Sequence, residues 1–297
     1  MSSFNGVPPA PHQDVPHQVL RPLAQDHGFE SAGKTVLVTG GASRLVLVSR
    51  SAAPQARAKA ELEAGHPGLE VVTYAASIAD RARTAEILRK LESDGGGGVD
   101  VLVLCAAVAH RRVTAAEVQP EEFRDAFEVN AVAAFGWAQM YLASKSKSKT
   151  LINVSSPVAQ MRHPMRAAYG PSKAGAAQIM QAFAAEVDWQ QKMRQQQQQQ
   201  QQGDEGTTND VEGKTRIFSF HPGSLYTPGT AEHFAQDALE WDDMELPAHF
   251  ARWLAGPQSD FLHGRFLWAH WDVDELVAAK ERLAGNPEAL TIGLIQL

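Results

Sequence analysis

Lys34-Thr-Val-Leu-Val-Thr39-Gly40-Gly41-Ala42-Ser43 runs straight into Arg44-Leu-Val-Leu-Val-Ser49-Arg50. Val36–Thr39 is apolar and largely β-branched, the composition of a buried strand, and Gly40-Gly41 is a turn. A strand that meets a glycine turn in this way opens a dinucleotide-binding unit. The next element should be a helix whose N-terminus holds a pyrophosphate. Leu45–Ser49 reads instead as a second strand. Parallel neighbours need a crossover of about a dozen or more residues, and only about five lie between these two strands. Side-by-side parallel pairing is therefore excluded for this stretch. Either Gly40-Gly41 makes a hairpin-like reversal, or one strand leaves its usual place. One face of the sheet should also be less covered, because a helix is gone.

Working outward, strand-like runs recur at Leu69–Tyr74, Val99–Leu104, Leu151–Val154, Thr215–Phe220 and Arg265–His270. Helix-like segments fall between them, at Ile78–Leu91, Pro120–Tyr141 and Ser172–Trp189. This alternation predicts an α/β fold, a Rossmann-like doubly wound parallel sheet in three α/β/α layers that lacks its first crossover helix. Residues 1–33, with Pro8, Pro9, Pro11, Pro16 and Pro22, read as a poorly ordered N-terminal extension. Residues 34–297 read as one domain. The glutamine tract Gln195–Gln202 and the polar stretch up to Gly213 read as a disordered insertion at about 190–213.

The chain has 297 residues, 44% hydrophobic content and a net charge of −7. It can bury one full core, and its charge gives no general attraction to nucleic acid or to an anionic membrane. No stretch reads as a signal peptide, a transit peptide or a membrane span, so the expected location is cytoplasmic. Cys105 is the single cysteine. It lies in the apolar run Val99–Ala109 and reads as core filler. Asp272 followed by Glu275 reads as a helix cap of the capping-box kind, and no metal site is expected.

The strongest chemical signal is Tyr169-Gly-Pro-Ser-Lys173. Tyrosine and lysine four apart at a helix start project from one face, and Pro171 suits a first turn. Ser156 lies thirteen residues before Tyr169, directly after a strand; Asn130 sits in Glu128-Val-Asn-Ala-Val; His221-Pro-Gly-Ser-Leu-Tyr-Thr227 follows another strand. Each residue alone has a structural alternative. Asn130 could cap or bend its helix, Ser156 could be a loop serine, and Tyr169 could be a packed tyrosine. The joint pattern favours catalysis.

With these motifs in place, the chain resembles the short-chain dehydrogenase/reductase family over most of residues 34–290. The resemblance rests on Thr39-Gly40, Asp100, Asn130, Ser156, Tyr169, Lys173, Pro222-Gly223 and Thr227. The Leu246–Leu276 segment is similar to fungal members. The resemblance implies an NAD(P)-dependent oxidoreductase that interconverts a ketone or aldehyde and an alcohol, with secondary metabolism as a compatible setting. Tyr169 would be the general acid/base. Lys173 would lower its pKa and hold the nicotinamide ribose, and Ser156 would polarise the substrate oxygen. Asn130 would organise a relay water. Thr227 would meet the carboxamide, and Pro222 and Gly223 would shape the wall beside the ring. Thr39, Gly40, Ser43 and Ser77 stand at the remaining cofactor positions. The second strand ends at Arg50 rather than an acid, which favours NADP (NADPH) over NAD. Arg44 belongs either to the phosphate loop or to the second strand.

Three departures from the family pattern stand out. They are the missing crossover, Leu104-Cys105-Ala106-Ala107 in place of Asn-Asn-Ala-Gly, and Ser77 in place of an aspartate. The readings that follow are an active reductase whose recorded sequence lost a segment, a pseudoenzyme scaffold, and an enzyme that binds its cofactor weakly. The implied partner is a small carbonyl or alcohol substrate. Family members associate through helices matching Pro120–Tyr141 and Ser172–Trp189, so a homodimer or homotetramer is compatible. Ser224–Glu245 is expected to form a substrate lid, with Tyr226, Phe234 and Trp241 supplying aromatic surface.

Overall fold

A computed structural model of the chain describes residues 35–39 through their backbone, and residues 44–94, 98–201 and 213–293. The N-terminal extension, Gly40, Ser43 and the end of the glutamine-rich segment lie outside the described residues. Strands β1 (Thr35–Thr39), β2 (Arg44–Ser49), β3 (Glu70–Ala75), β4 (Val101–Leu104), β5 (Lys149–Val154), β6 (Thr215–His221) and β7 (Phe266–Trp268) form one sheet. Its spatial order is β3-β2-β1-β4-β5-β6-β7.

Among these strands β1 alone runs against its neighbours. It pairs antiparallel with β2, in a register from Thr35↔Val48 to Thr39↔Arg44. It also pairs antiparallel with β4, with Val36↔Val103 and Val38↔Val101. All other pairings are parallel. The hairpin-like reversal is therefore the solution the short connection imposes. It corrects the expectation of an all-parallel sheet at one strand and leaves the doubly wound layout in place.

The layers follow from strand alternation. On one face Val46, Val48, Leu102, Leu104, Leu151 and Ile217 meet helices α2 (Arg81–Ser93), α4 (Ala133–Leu142) and α5 (Tyr169–Gln201). On the other face two apolar clusters are described, and Val103 packs against both. Leu45, Leu47 and Val71 pack under α1 (Ala52–Gly65). Ile152, Phe218 and Phe220 pack under α7 (Glu245–Ala255) and α8 (Val273–Ala278). Two short helices, α6 (Pro228–Ala231) and α9 (Lys280–Ala284), and α3 (Pro120–Phe127) complete the set.

Two elements differ from the sequence reading. Helix α1 was not expected: it has no apolar stripe, and only Gln55 is fully buried. That side chain holds the helix to the sheet by donating to Tyr74 O (2.9 Å) and Ser49 O (3.3 Å). Helix α5 continues through Trp189 and most of the glutamine tract to Gln201. Glutamine is a fair helix former and no Gly or Pro interrupts the run. Among the described residues no helix is long and apolar enough to cross a membrane.

Candidate active site

The carboxyl ends of β2 to β6 share one edge of the sheet, and the parallel registers fix that alignment. Ligands of open α/β sheets bind at this edge. Arg50 follows β2, Ser77 follows β3, Cys105 follows β4, Ser156 follows β5, and Pro222-Gly223 follow β6. Tyr169 opens α5, which places Tyr169 and Lys173 on its first turns.

Lys173 is 4% exposed, and its ammonium donates to Val154 O at 2.9 Å. It lies 6.0 Å from the centroid of the Tyr169 ring. Tyr169 is half-buried. Burial raises its pKa, opposed by a hydrogen bond with Ser156 and by the charge of Arg166. Arg166 is thus a cation beside this phenol that the sequence reading did not include. Burial in turn lowers Lys173 to about 8, partly offset by nearby Cys105. Cys105 interacts electrostatically with both residues and is half-buried, so it sits at the cleft and is not core filler.

Of the two adjacent serines, Ser155 is buried, with its N–H on Phe220 O at 2.7 Å. Ser156 remains partly accessible and engages Tyr169. Asn130 is buried within a π turn, Glu128–Val132, between α3 and α4. Its amide donates to Val108 O and Ser172 Oγ, both at 2.9 Å, and its oxygen accepts Val108 N–H at 2.8 Å. Asn130 therefore ties the loop after β4 to α5 from within the π turn. π turns are frequent at functional sites.

Gly223 has φ +103°, and a Cβ there would come within 2.7 Å of Asp242 Oδ2, so only glycine fits. Asp242 accepts Ser224 N–H at 2.6 Å and contacts His270 Nε2 at 2.9 Å, pinning the segment after β6. Thr227 caps α6, where its hydroxyl accepts Thr230 N–H at 3.2 Å. Tyr226 and Phe234 both pack on Trp241, with ring centroids 5.2 and 5.9 Å apart.

The remaining expected residues are more scattered. Ser77 is exposed and its hydroxyl accepts Ala79 N–H. Arg50 is exposed at the catalytic edge. Arg44 opens β2 at the opposite edge and pairs with Glu70 at 3.3 Å and Asp94 at 3.6 Å, which settles it as a strand residue. Thr39 lies beside it, because the reversal of β1 carries its end away from Tyr169. Gly40 and Ser43, the turn that follows, lie outside the described residues. Asp272 caps α8, accepting Asp274 N–H (2.8 Å) and Glu275 N–H (3.2 Å).

Residues 26–192 match the family model described as short chain dehydrogenase. The chain is 50% identical to short chain dehydrogenase/reductase AacuD of Aspergillus aculeatus, covering 92% of each chain. The chain belongs to the short-chain dehydrogenase/reductase family. It is 45% identical to the family member nsrO of Aspergillus novofumigatus, over 99% of this chain and all of the relative. That alignment runs over 314 positions, more than the 297 residues present here, so part of nsrO has no counterpart in this chain. Among solved structures, a 3-oxoacyl-[acyl-carrier protein] reductase from Brucella melitensis, in complex with NAD, shares the fold. It has a TM-score of 0.62 and 21% identity, with 76% of this chain and 85% of that one covered. A Shigella flexneri short chain dehydrogenase complexed with NADP is similar, with a TM-score of 0.60 and 18% identity over 76% and 86% of the two chains.

The buried Lys173 has a measurable consequence. No carboxylate among the described residues pairs with it, and its pKa falls from 10.5 to about 8 on folding. Between those values the unfolded chain binds more protons, so stability rises with pH. Below about pH 8 the buried charge is a net cost. Lys173→Met is expected to stabilise the chain at neutral pH by up to about 3 kcal/mol. The gain should fade as pH climbs towards about 10. Thermal unfolding across that range measures it. A variant less stable than the parent at neutral pH would show that the bond to Val154 outweighs the desolvation.

Proposed function

We propose that the chain reduces a ketone or aldehyde, or oxidises the matching alcohol, with Tyr169 exchanging the proton at the reacting oxygen. The observation that carries this reading is the convergence of Tyr169, Ser156 and Lys173 at the carboxyl edge of the sheet, held by the Asn130 clamp. Ser156 is placed to donate to the same oxygen and to stabilise charge that develops there. Lys173 is already half-way to neutrality near pH 8, so it can pass a proton onward from Tyr169. Asn130 holds the surrounding backbone fixed while a water relays that proton. A nicotinamide cofactor supplies the hydride when bound.

The residues fit that cofactor at one end only. Lys173, Pro222, Gly223 and Thr227 surround the place where its reacting ring would lie. Arg50 at the end of β2 suits a 2′-phosphate and favours NADP. The end of β1 at Thr39, which would lead into a phosphate-binding turn, is not at this edge, because β1 is reversed. The enzyme is read as cytoplasmic, acting on a small molecule and not on nucleic acid or membrane. The exposed Val132 and Phe135, at and beyond the π turn, are surface available to a second copy.

A second reading has its own support. The reversed β1 and the longer alignment with nsrO fit a chain that lost a segment between Ser43 and Arg44. Sequencing the transcript across that junction tests it. About a dozen or more additional codons are expected there, and the junction as written would exclude the loss. The catalytic assignment is tested by following NADPH consumption with aryl ketones. Tyr169→Phe should lower turnover about a hundredfold or more. A variant that retains the parent rate would overturn the role of Tyr169, and a parent that turns over no carbonyl compound would favour a scaffold.

A further inference from the structure

Several of the described arginines have an acidic partner. Arg44 pairs with Glu70, Arg83 with Glu86, Arg124 with Glu121 and Arg216 with Asp260. Arg111 makes a two-pronged contact with Glu122, at 2.7 and 2.8 Å. Its neighbour Arg112 does not, and neither does Arg166; among the described residues no carboxylate lies within salt-bridge reach of either.

Arg166 stands beside the phenol of Tyr169, and Arg112 beside the ring of Phe234. The Arg166 guanidinium lies 5.6 Å from the centroid of the Tyr169 ring, and its one hydrogen bond is a long donation to Ala109 O at 3.4 Å. Arg112 lies 4.5 Å from the ring centroid of Phe234, in the segment after β6. Each is half-buried. The two cations are close enough to oppose each other, and Arg166 is further disfavoured by burial. Both sit next to strained backbone: His110 has φ +21° and Met165 φ +60°, values uncommon for residues with side chains. Strain of this kind persists where the surroundings hold a functional geometry.

Arg166 also lines a cavity of about 660 Å³ whose other walls include Val158, Met161 and Met165. That volume suits a small organic molecule. Its walls are mainly apolar, with Arg162, His163 and Arg166 among them, and match an amphiphile with one anionic end. A planar guanidinium binds a carboxylate through two parallel bonds.

We propose that Arg112 and Arg166 clamp a carboxylate over Tyr169, so that the substrate is an apolar or aromatic carbonyl compound, or its alcohol, with a carboxylate close to the reacting carbon. The word substrate rests on the hydride-transfer reading; the clamp itself does not. The test therefore uses binding and not turnover. Calorimetric titration of the full chain compares 2-acetylbenzoate with its methyl ester, which keeps the ketone and removes the charge, and with inorganic phosphate. The acid should bind about ten- to a hundredfold more tightly than the ester. Arg112→Gln and Arg166→Gln should each erase that preference, while Tyr169→Phe should keep it. Equal binding of acid and ester by the parent, binding of neither, or a stronger response to phosphate than to the acid would each overturn the clamp. Because the acid–ester comparison is made on the parent chain, a variant that fails to fold does not blunt it. A chain that shows the acid preference but turns over no carbonyl compound would keep the clamp and refute the reductase.

Discussion

Four residues separate Thr39 from Arg44, and that connection is too short to cross from one parallel strand to the next. The backbone of β1 must nevertheless be paired. Without it the sheet would split between β2 and β4 and expose two open edges. Reversing β1 satisfies both neighbours at once, since an antiparallel strand can bond on either side. The other strands stay parallel, and Cys105, Ser156 and Pro222-Gly223 after β4, β5 and β6 stay at one edge with Tyr169 at the start of α5. The cost falls on one function: the end of β1, which should face the cofactor's phosphates, lies at the far edge.

The catalytic edge depends on a different set of constraints, none of which involves β1. Asn130 spends its whole amide on Val108 and Ser172. It thereby couples the loop after β4 to the helix that carries Tyr169 and Lys173. Lys173 reaches back to Val154 at the end of β5, and Ser156 follows two residues later. Three elements are thus locked around one phenol. The cation beside that phenol's ring is Arg166, which with Arg112 forms the proposed anion clamp.

Much of this was legible in the residues. The strand runs, Ser156, Tyr169, Lys173 and the short Gly40–Ser43 connection could be read directly, and the excluded parallel pairing followed from chain length alone. Helix α1 escaped because it is held by one buried glutamine and not by an apolar stripe. The glutamine tract was read as disorder from composition, yet it extends a helix that contains no breaker. Cys105 was taken for core because its neighbours in sequence are apolar, although it emerges from β4 at the cleft. Arg112 and Arg166 carried no signal. An arginine's significance lies in whether an acid faces it, and that depends on residues distant in sequence.

The central claim is that the catalytic edge is intact while phosphate binding is lost at the Ser43–Arg44 junction. Fluorescence titration with NADPH tests it most directly, comparing the chain as written with a version that carries the corresponding nsrO segment between Ser43 and Arg44. The account predicts that the restored chain binds at least about a hundredfold more tightly, because the charge-assisted bonds to the phosphates return. Equally tight binding by both chains would contradict it.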